Sequence, residues 1–414
     1  MSPDIFSADE PSFVEPLQRA GEALRNGAGD EIERRLHGFL AEVVKLAPQS
    51  SEEAESRSAQ NGAPPSDVRR TWKNFSATQM AQPLQYHRPQ SLDELVAVIQ
   101  RAEKEKQTIR AVGSGHSHSD VAVATDFLID THGLHEVLTL DTSVLKDGVD
   151  TAMLFQTQCG ITIHDLNIAL EEAGLALPNM GGYTGQTIAG AISTGTHGSG
   201  ISLGPLASFV ESLELVSESG KIYRIEPGNG PTEPAKYRLK FPNVTLVQND
   251  DWFRSVVVSM GCMGVIYSVI LRVVPKFWLS ETRTLSTWGL VKEELRAGKV
   301  LRENRHYEVI VNPYPIKGKH SCLVTKRNLS GRPVNPDYDR AHRIFFSQLL
   351  ASIPGLGNAL KFLFGQWPDL TPNIIAGAMK GLQDDIYTDV SYKVFDLGPA
   401  NKIRAYASEI ALPM

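Results

Sequence analysis

The chain has little cysteine, no large excess of either charge and no long hydrophobic run. Its three cysteines, Cys159, Cys262 and Cys322, stand far apart and form no C-x-x-C pair. They indicate neither a disulfide framework nor a zinc knuckle, and they fit a reducing compartment. Lys and Arg number 41 against 47 Asp and Glu, a formal net charge of −6, and the pI is near 6.0. That balance argues against nucleic acid as the main partner. The longest apolar region, Ile344 to Leu360, is short for a bilayer span and contains Pro354, Gly355 and Gly357. It reads as two short packed helices, with a membrane-surface contact or an apolar substrate channel as the alternatives. The acidic start, Met1 to Glu10, lacks the basic-then-apolar pattern of a signal peptide. The expectation is a cytoplasmic protein.

What is present suffices for two or three domains: 414 residues, of which 42% are hydrophobic. Residues 12–48 carry apolar side chains at helical spacing. Residues 49–66 are rich in Ser, Glu, Gly and Pro and read as a linker. Residues 1–66 are thus expected to form a helical appendage. Ser91, with Glu94 three residues on, predicts a capped helix whose apolar stripe is Leu92, Leu95, Val96, Val98, Ile99 and Ala102. Strands are expected at 108–112, 127–130 and 152–157, and a helix at 163–173 that stops at Gly174. A hairpin is expected over 210–225, turning at Glu218 to Gly220. Beyond 275 the pattern predicts strands at 306–312 and 321–325, helices over 338–382 and two strand-like runs over 390–410. The fold class is α+β, with a domain boundary near 275.

Glycine is concentrated in two places. One is Val112-Gly-Ser-Gly-His-Ser-His-Ser-Asp120; the other is Gly181-Gly-Tyr-Thr-Gly-Gln-Thr-Ile-Ala-Gly-Ala-Ile-Ser-Thr-Gly-Thr-His-Gly-Ser-Gly200. Such density lets backbone approach a ligand closely, and successive free N–H groups in these turns make a concave anion site. Two such turns set in apolar sequence suggest a long ligand with a diphosphate in its middle. A dinucleotide-binding G-x-G-x-x-G turn is a poor match, because position 118 is His118 and no long helix follows. A zinc hydrolase using His116, His118 and Asp120 is a weaker alternative, since the next position of that metal motif is filled by Val121.

The stretch from Trp72 to Pro275 resembles the PCMH-type FAD-binding domain of the vanillyl-alcohol oxidase superfamily. The match runs in order through Trp72-Lys-Asn-Phe75, Pro89-x-Ser91-x-x-Glu94-Leu95, Ile109-Arg-Ala-Val-Gly-Ser-Gly-His-Ser117, Gly185-Gln-Thr-Ile-Ala-Gly190, Gly195-Thr-His-Gly198 and Gly264-Val-Ile-x-x-Val269. Within that superfamily the sugar-lactone oxidases (arabinonolactone and gulonolactone oxidases), the alditol oxidases and the covalent-flavin cholesterol oxidases are most similar. The resemblance implies three parts: an appendage at 1–66, the FAD-binding domain at 67–275 and a substrate or cap domain at 276–414. It implies that Val112, Gly113, Ser114, Gly115, His116 and Ser117 wrap the FAD diphosphate. Gly182, Thr187, Gly190, Thr194, Gly195, Thr196, His197 and Gly198 form the opposite wall, and Ile266 lies by the adenine. His116 stands where relatives bond an imidazole to the flavin.

The resemblance further implies oxidation of a CH–OH group of a sugar lactone or polyol, with O₂ or another acceptor taking the electrons. A sterol or other apolar alcohol is the alternative substrate, and an FAD-binding protein without turnover the alternative function. Glu409, in Glu409-Ile-Ala-Leu-Pro413, matches the strand glutamate that faces the flavin and would act as the catalytic base. Two departures stand out: Ala411 occupies a position where relatives often carry arginine, and the chain stops at Met414, so the substrate domain is expected to be incomplete.

Overall fold

The computed structural model describes residues 70–333, 368–383 and 386–396. The expectations for residues 1–66, for Ile344 to Leu360 and for Glu409 fall outside the described residues. The chain divides into two compact units. The larger holds the described residues up to Ser280 together with 327–333 and 388–396; the smaller holds 281–326 and 368–387.

The larger unit opens with a short antiparallel pair, β1 (Trp72–Lys73) and β2 (Met80–Ala81). A three-stranded parallel sheet follows, built from β3 (Gln85–His87), β4 (Ile109–Val112) and β5 (Phe127–Asp130) in the order β3-β5-β4. All four residues of β5 are buried, as expected for the middle strand of a covered parallel sheet. Helix α1 (Leu92–Lys104) makes the crossover from β3 to β4. Ser91 caps it by accepting from the Glu94 amide at 3.2 Å, and the Glu94 carboxylate reaches back to the Gln90 amide at 2.8 Å. Leu95, Ile99 and Ala102 are its buried face.

The second sheet of this unit has six strands in the order β11-β10-β9-β12-β7-β6. They are β6 (Val137–Leu138), β7 (Leu154–Gln158), β9 (Val210–Val216), β10 (Ile222–Glu226), β11 (Val244–Gln248) and β12 (Val265–Arg272). The short β8 (Leu175–Ala176) pairs with β13 (Val274–Pro275). The expected hairpin is β9 and β10, antiparallel, with Ser219 and Gly220 at positive φ in the turn. Strand β7 begins later than the spacing predicts because Thr151–Met153 coil into a 3₁₀ turn. Helix α2 (Ile163–Glu172) ends as expected before Gly174, which takes φ +73°. Helix α3 (Ile188–Ser193) starts at Thr187, α4 (Pro234–Lys240) joins β10 to β11, and α5 (Asp250–Val257) precedes β12.

Strand β14 (Trp278–Thr287) runs from the larger unit into the smaller one and leads to α6 (Trp288–Ala297) and α7 (Lys299–Glu303), then to β15 (His306–Val311) and β16 (Ser321–Ser330), whose last residues belong to the larger unit again. Strand β16 lies between β15 and β14, and Val291 of α6 packs with Cys322 and Val324. The turn between β15 and β16 uses Lys317 and Gly318 at φ 51° and 75°. Helix α8 (Thr371–Gly381) falls in the region expected to be helical. After β17 (Tyr387–Val390) one expectation fails: Ser391–Phe395 is a helix, α9, and not the start of a strand run. Its buried residues Ser391, Val394 and Phe395 are spaced three and four apart, a helical period hidden by the β-branched residues around it.

Candidate functional site

Within the larger unit, the end of β4, the start of α3 and the start of β12 enclose a cleft of about 620 Å³. Every residue from Ala111 to His118 lines it, so the whole first glycine loop faces one space. Gly115 takes φ +64°, and a Cβ there would come 3.0 Å from the Trp72 ring. A Cβ on Gly113 would lie 2.0 Å from the Thr187 hydroxyl oxygen. The first loop can press onto the start of α3 only because Gly113 has no side chain. Thr187 also caps that helix, accepting from the Gly190 amide at 3.3 Å.

The second glycine segment contributes Gln186, Thr187, Ala189, Gly190, Ser193 and Thr194 to the cleft. Gly182, Gly195, Thr196, His197 and Gly198 are not among the lining residues. Several of these hold the segment together. A Cβ on Gly198 would stand 2.2 Å from the Met180 carbonyl oxygen, and the Gln186 amide donates to the Thr196 hydroxyl at 3.4 Å.

A third wall comes from Ser259, Met260, Gly261, Gly264, Val265 and Ile266. The Met260 amide donates to the Ser193 carbonyl at 3.0 Å and so ties this wall to α3. Met260, Gly261 and Gly264 all take positive φ. Sequence reasoning named only Ile266 here. The glycine breaks at 261 and 264 were the available signal, but nothing local shows that β12 lies beside β9 and so brings this turn to the cleft. Thr131, Gln186, Ala189 and Ser193 were also missed.

His116 lies between two aromatic rings. Its centroid is 4.7 Å from that of Phe75 and 4.0 Å from that of Tyr183, with interplanar angles of 28° and 31°. Burial lowers its pKa, and the neighbouring His118 adds to the effect. The ring therefore favours the neutral form on the cleft wall. His118 makes a 3.2 Å contact through Nδ1 with the Ser76 hydroxyl. Among the described residues no three His, Cys, Asp or Glu side chains stand together as metal ligands. His116, His118 and Asp120 therefore do not form the metal site that a zinc hydrolase needs.

Behind the first loop runs a polar chain. The Ser114 hydroxyl is 3.2 Å from His132 Nε2, and His132 Nδ1 is 2.7 Å from the Asp130 carboxylate. The Tyr86 hydroxyl donates to the other Asp130 oxygen at 2.6 Å. Burial alone would raise the Asp130 pKa, but hydrogen bonds from His132 and Tyr86 outweigh it and hold the carboxyl at about 2. Burial, with Asp130 next to it, pushes Tyr86 up to about 12.

A family model described as "FAD binding domain" matches residues 83–226, which include both glycine segments. The chain is 32% identical to an L-gulono-1,4-lactone dehydrogenase of Mycobacterium tuberculosis, over 83% of this chain and 70% of that protein. It is 27% identical to a D-arabinono-1,4-lactone oxidase of Yarrowia lipolytica, over 76% of this chain and 54% of that one. The chain thus spans about half the length of several curated relatives it matches. In structure it is similar to a cholesterol oxidase from B. sterolicum, with a TM-score of 0.57 at 16% identity, covering 80% of this chain and 63% of that one. That likeness is one of fold. The fold and cleft define an FAD-binding protein of the PCMH type. More narrowly, the chain belongs to the family of FAD-binding proteins that includes the sugar-lactone oxidases and dehydrogenases.

Proposed function

We propose that this protein oxidises a CH–OH group of a sugar lactone to a carbonyl with FAD held in the glycine-lined cleft. The observation that carries the proposal is the cleft itself: two glycine loops and the turn before β12 meet around one space lined by Gly, Ser and Thr together with apolar residues such as Val112, Ala189 and Ile266. Its size falls in the range of cofactor sites. The close packing of Gly113 on Thr187 leaves this stretch of wall free of bulky side chains. Such a wall suits a diphosphate, which is recognised through N–H and O–H donors. Similarity to lactone oxidases and dehydrogenases favours a sugar lactone over a polyol or a sterol. Bound FAD supplies the hydride-accepting chemistry.

In this reading the first loop would hold the diphosphate and Ile266 would lie by the adenine. His116, held between the rings of Phe75 and Tyr183, would be the residue that anchors the flavin covalently. By its resemblance to the family's strand glutamate, Glu409 would orient the substrate hydroxyl and take its proton, and O₂ or another carrier would be the final electron acceptor. The absorbance spectrum of acid-precipitated protein tests the anchor. The wild-type pellet stays yellow, whereas His116→Ala releases its colour to the supernatant. A colourless protein that takes up no FAD on soaking defeats the proposal.

A further inference from the structure

The chain Tyr86–Asp130–His132–Ser114 ends on a hydroxyl that faces the cleft, and the lactone-oxidase reading assigns it no role. An ionised carboxylate can only accept, so Asp130 must receive the proton on His132 Nδ1. The opposite nitrogen, Nε2, meets Ser114. If the imidazole is neutral, Nε2 has only a lone pair, and the single hydroxyl proton of Ser114 must point at it. The serine then turns lone pairs toward the cleft, where they repel phosphate oxygens. If the imidazole is protonated, Nε2–H donates to Ser114 Oγ. The hydroxyl proton is then released and can donate into the cleft, and the site gains a positive charge behind the loop.

We infer that binding of the FAD diphosphate is coupled to uptake of one proton at His132, which converts Ser114 from an acceptor into a donor toward the phosphate. The inference rests on the FAD reading above. The coupling is reciprocal: if protonation of His132 favours the anion, the anion must favour protonation of His132. The polar surroundings fit that cycle. Asp130 faces the ring from the end of β5, and Tyr86 donates to its second oxygen. Arg88 lies 3.9 Å from that same oxygen and is largely exposed. His135 reaches only the His132 backbone carbonyl, at 3.0 Å. The Asp130 carboxylate therefore faces the His132 ring on one side and the Ser114 hydroxyl, which lines the cleft, faces it on the other.

The test is calorimetric titration with FAD of the full chain carrying His116→Ala and freed of flavin. It is run in two buffers of different ionisation enthalpy at about pH 8, above the ordinary histidine range. The expected uptake is about one proton per FAD, the proton that turning Ser114 from acceptor to donor requires. Adding Ser114→Ala removes most of that uptake and weakens FAD on the order of tenfold, the loss of one hydrogen bond to a charged group. Adding His132→Gln removes the uptake but keeps FAD bound, because the amide is a permanent donor. Riboflavin, which lacks the diphosphate, takes up no proton at this site. Tight FAD binding with no proton uptake, or with uptake unaltered by either substitution, overturns the inference and leaves the FAD reading standing. Failure of the His116→Ala chain to bind FAD at all overturns both.

Discussion

The two glycine-rich segments look alike in sequence and are used differently. In the first, the run from Ala111 to His118 is a continuous wall, and glycine there keeps the space open. In the second, the wall is made by Gln186 to Thr194, and glycines outside that stretch let the segment fold onto itself, with Gly198 against Met180 and Gly181 against the His197 carbonyl. Glycine density thus reports close approach, but not whether a ligand or the chain's own backbone does the approaching.

Substitutions can break or sharpen that contrast. The largest effect is expected at Gly198→Ala, where the new methyl would stand 2.2 Å from the Met180 carbonyl oxygen and 2.5 Å from the Asn179 side-chain oxygen. Backbone cannot retreat as a flexible side chain can, so urea unfolding should show a loss of about 3 kcal/mol or more. A loss under about 1 kcal/mol there would erase the distinction between the two segments.

Next comes Asp130→Asn, which attacks the support of the first loop. The carboxyl falls from an ordinary 3.8 to about 2 in the folded protein. A depressed carboxyl stabilises the fold above its unfolded pKa, and that contribution is lost as pH drops from about 4 toward 2. The wild type should lose about 2 kcal/mol across that window. Asp130→Asn should lack this share at neutral pH and show a flatter acid limb in pH-dependent unfolding.

Gly113→Ala should cost less stability than Gly198→Ala, because the methyl meets a threonine side chain rather than a carbonyl. We expect about 1–2 kcal/mol. Its signature is in the cleft: retained FAD should fall at least about tenfold, measured by flavin absorbance per chain after dialysis. The smallest effect belongs to Gly195→Ala. Its nearest neighbour, a Val258 methyl, is 3.9 Å away, so only the left-handed φ of +71° opposes the change. Chemical denaturation should register about 1 kcal/mol and flavin content should not move.

Much of the larger unit was legible in sequence because its signals are local. Ser91 and Glu94 marked the start of α1, Gly174 the end of α2, and Glu218 to Gly220 the hairpin turn. The residues expected in the first glycine loop, Val112 to Ser117, all lie on the cleft. Of the second, Thr187, Gly190 and Thr194 line the space, whereas Gly182, Gly195, Thr196, His197 and Gly198 do not. The turn at Ser259–Gly261 and the Ser114–His132–Asp130–Tyr86 chain were not legible at all. Each joins residues that meet only when β5 lies between β3 and β4, or when β12 pairs with β9.

By itself, the amino-acid order determined where this chain turns tightly, where its helices begin and which glycine loop carries His116. Those features depend on neighbours within a few positions, through backbone sterics and capping hydrogen bonds. Strand pairing and packing decided the rest: which glycines face the ligand space, what third segment closes it and which carboxylate stands behind Ser114. Such contacts span long stretches of sequence, and only the summed burial of whole sheets brings them within hydrogen-bonding reach.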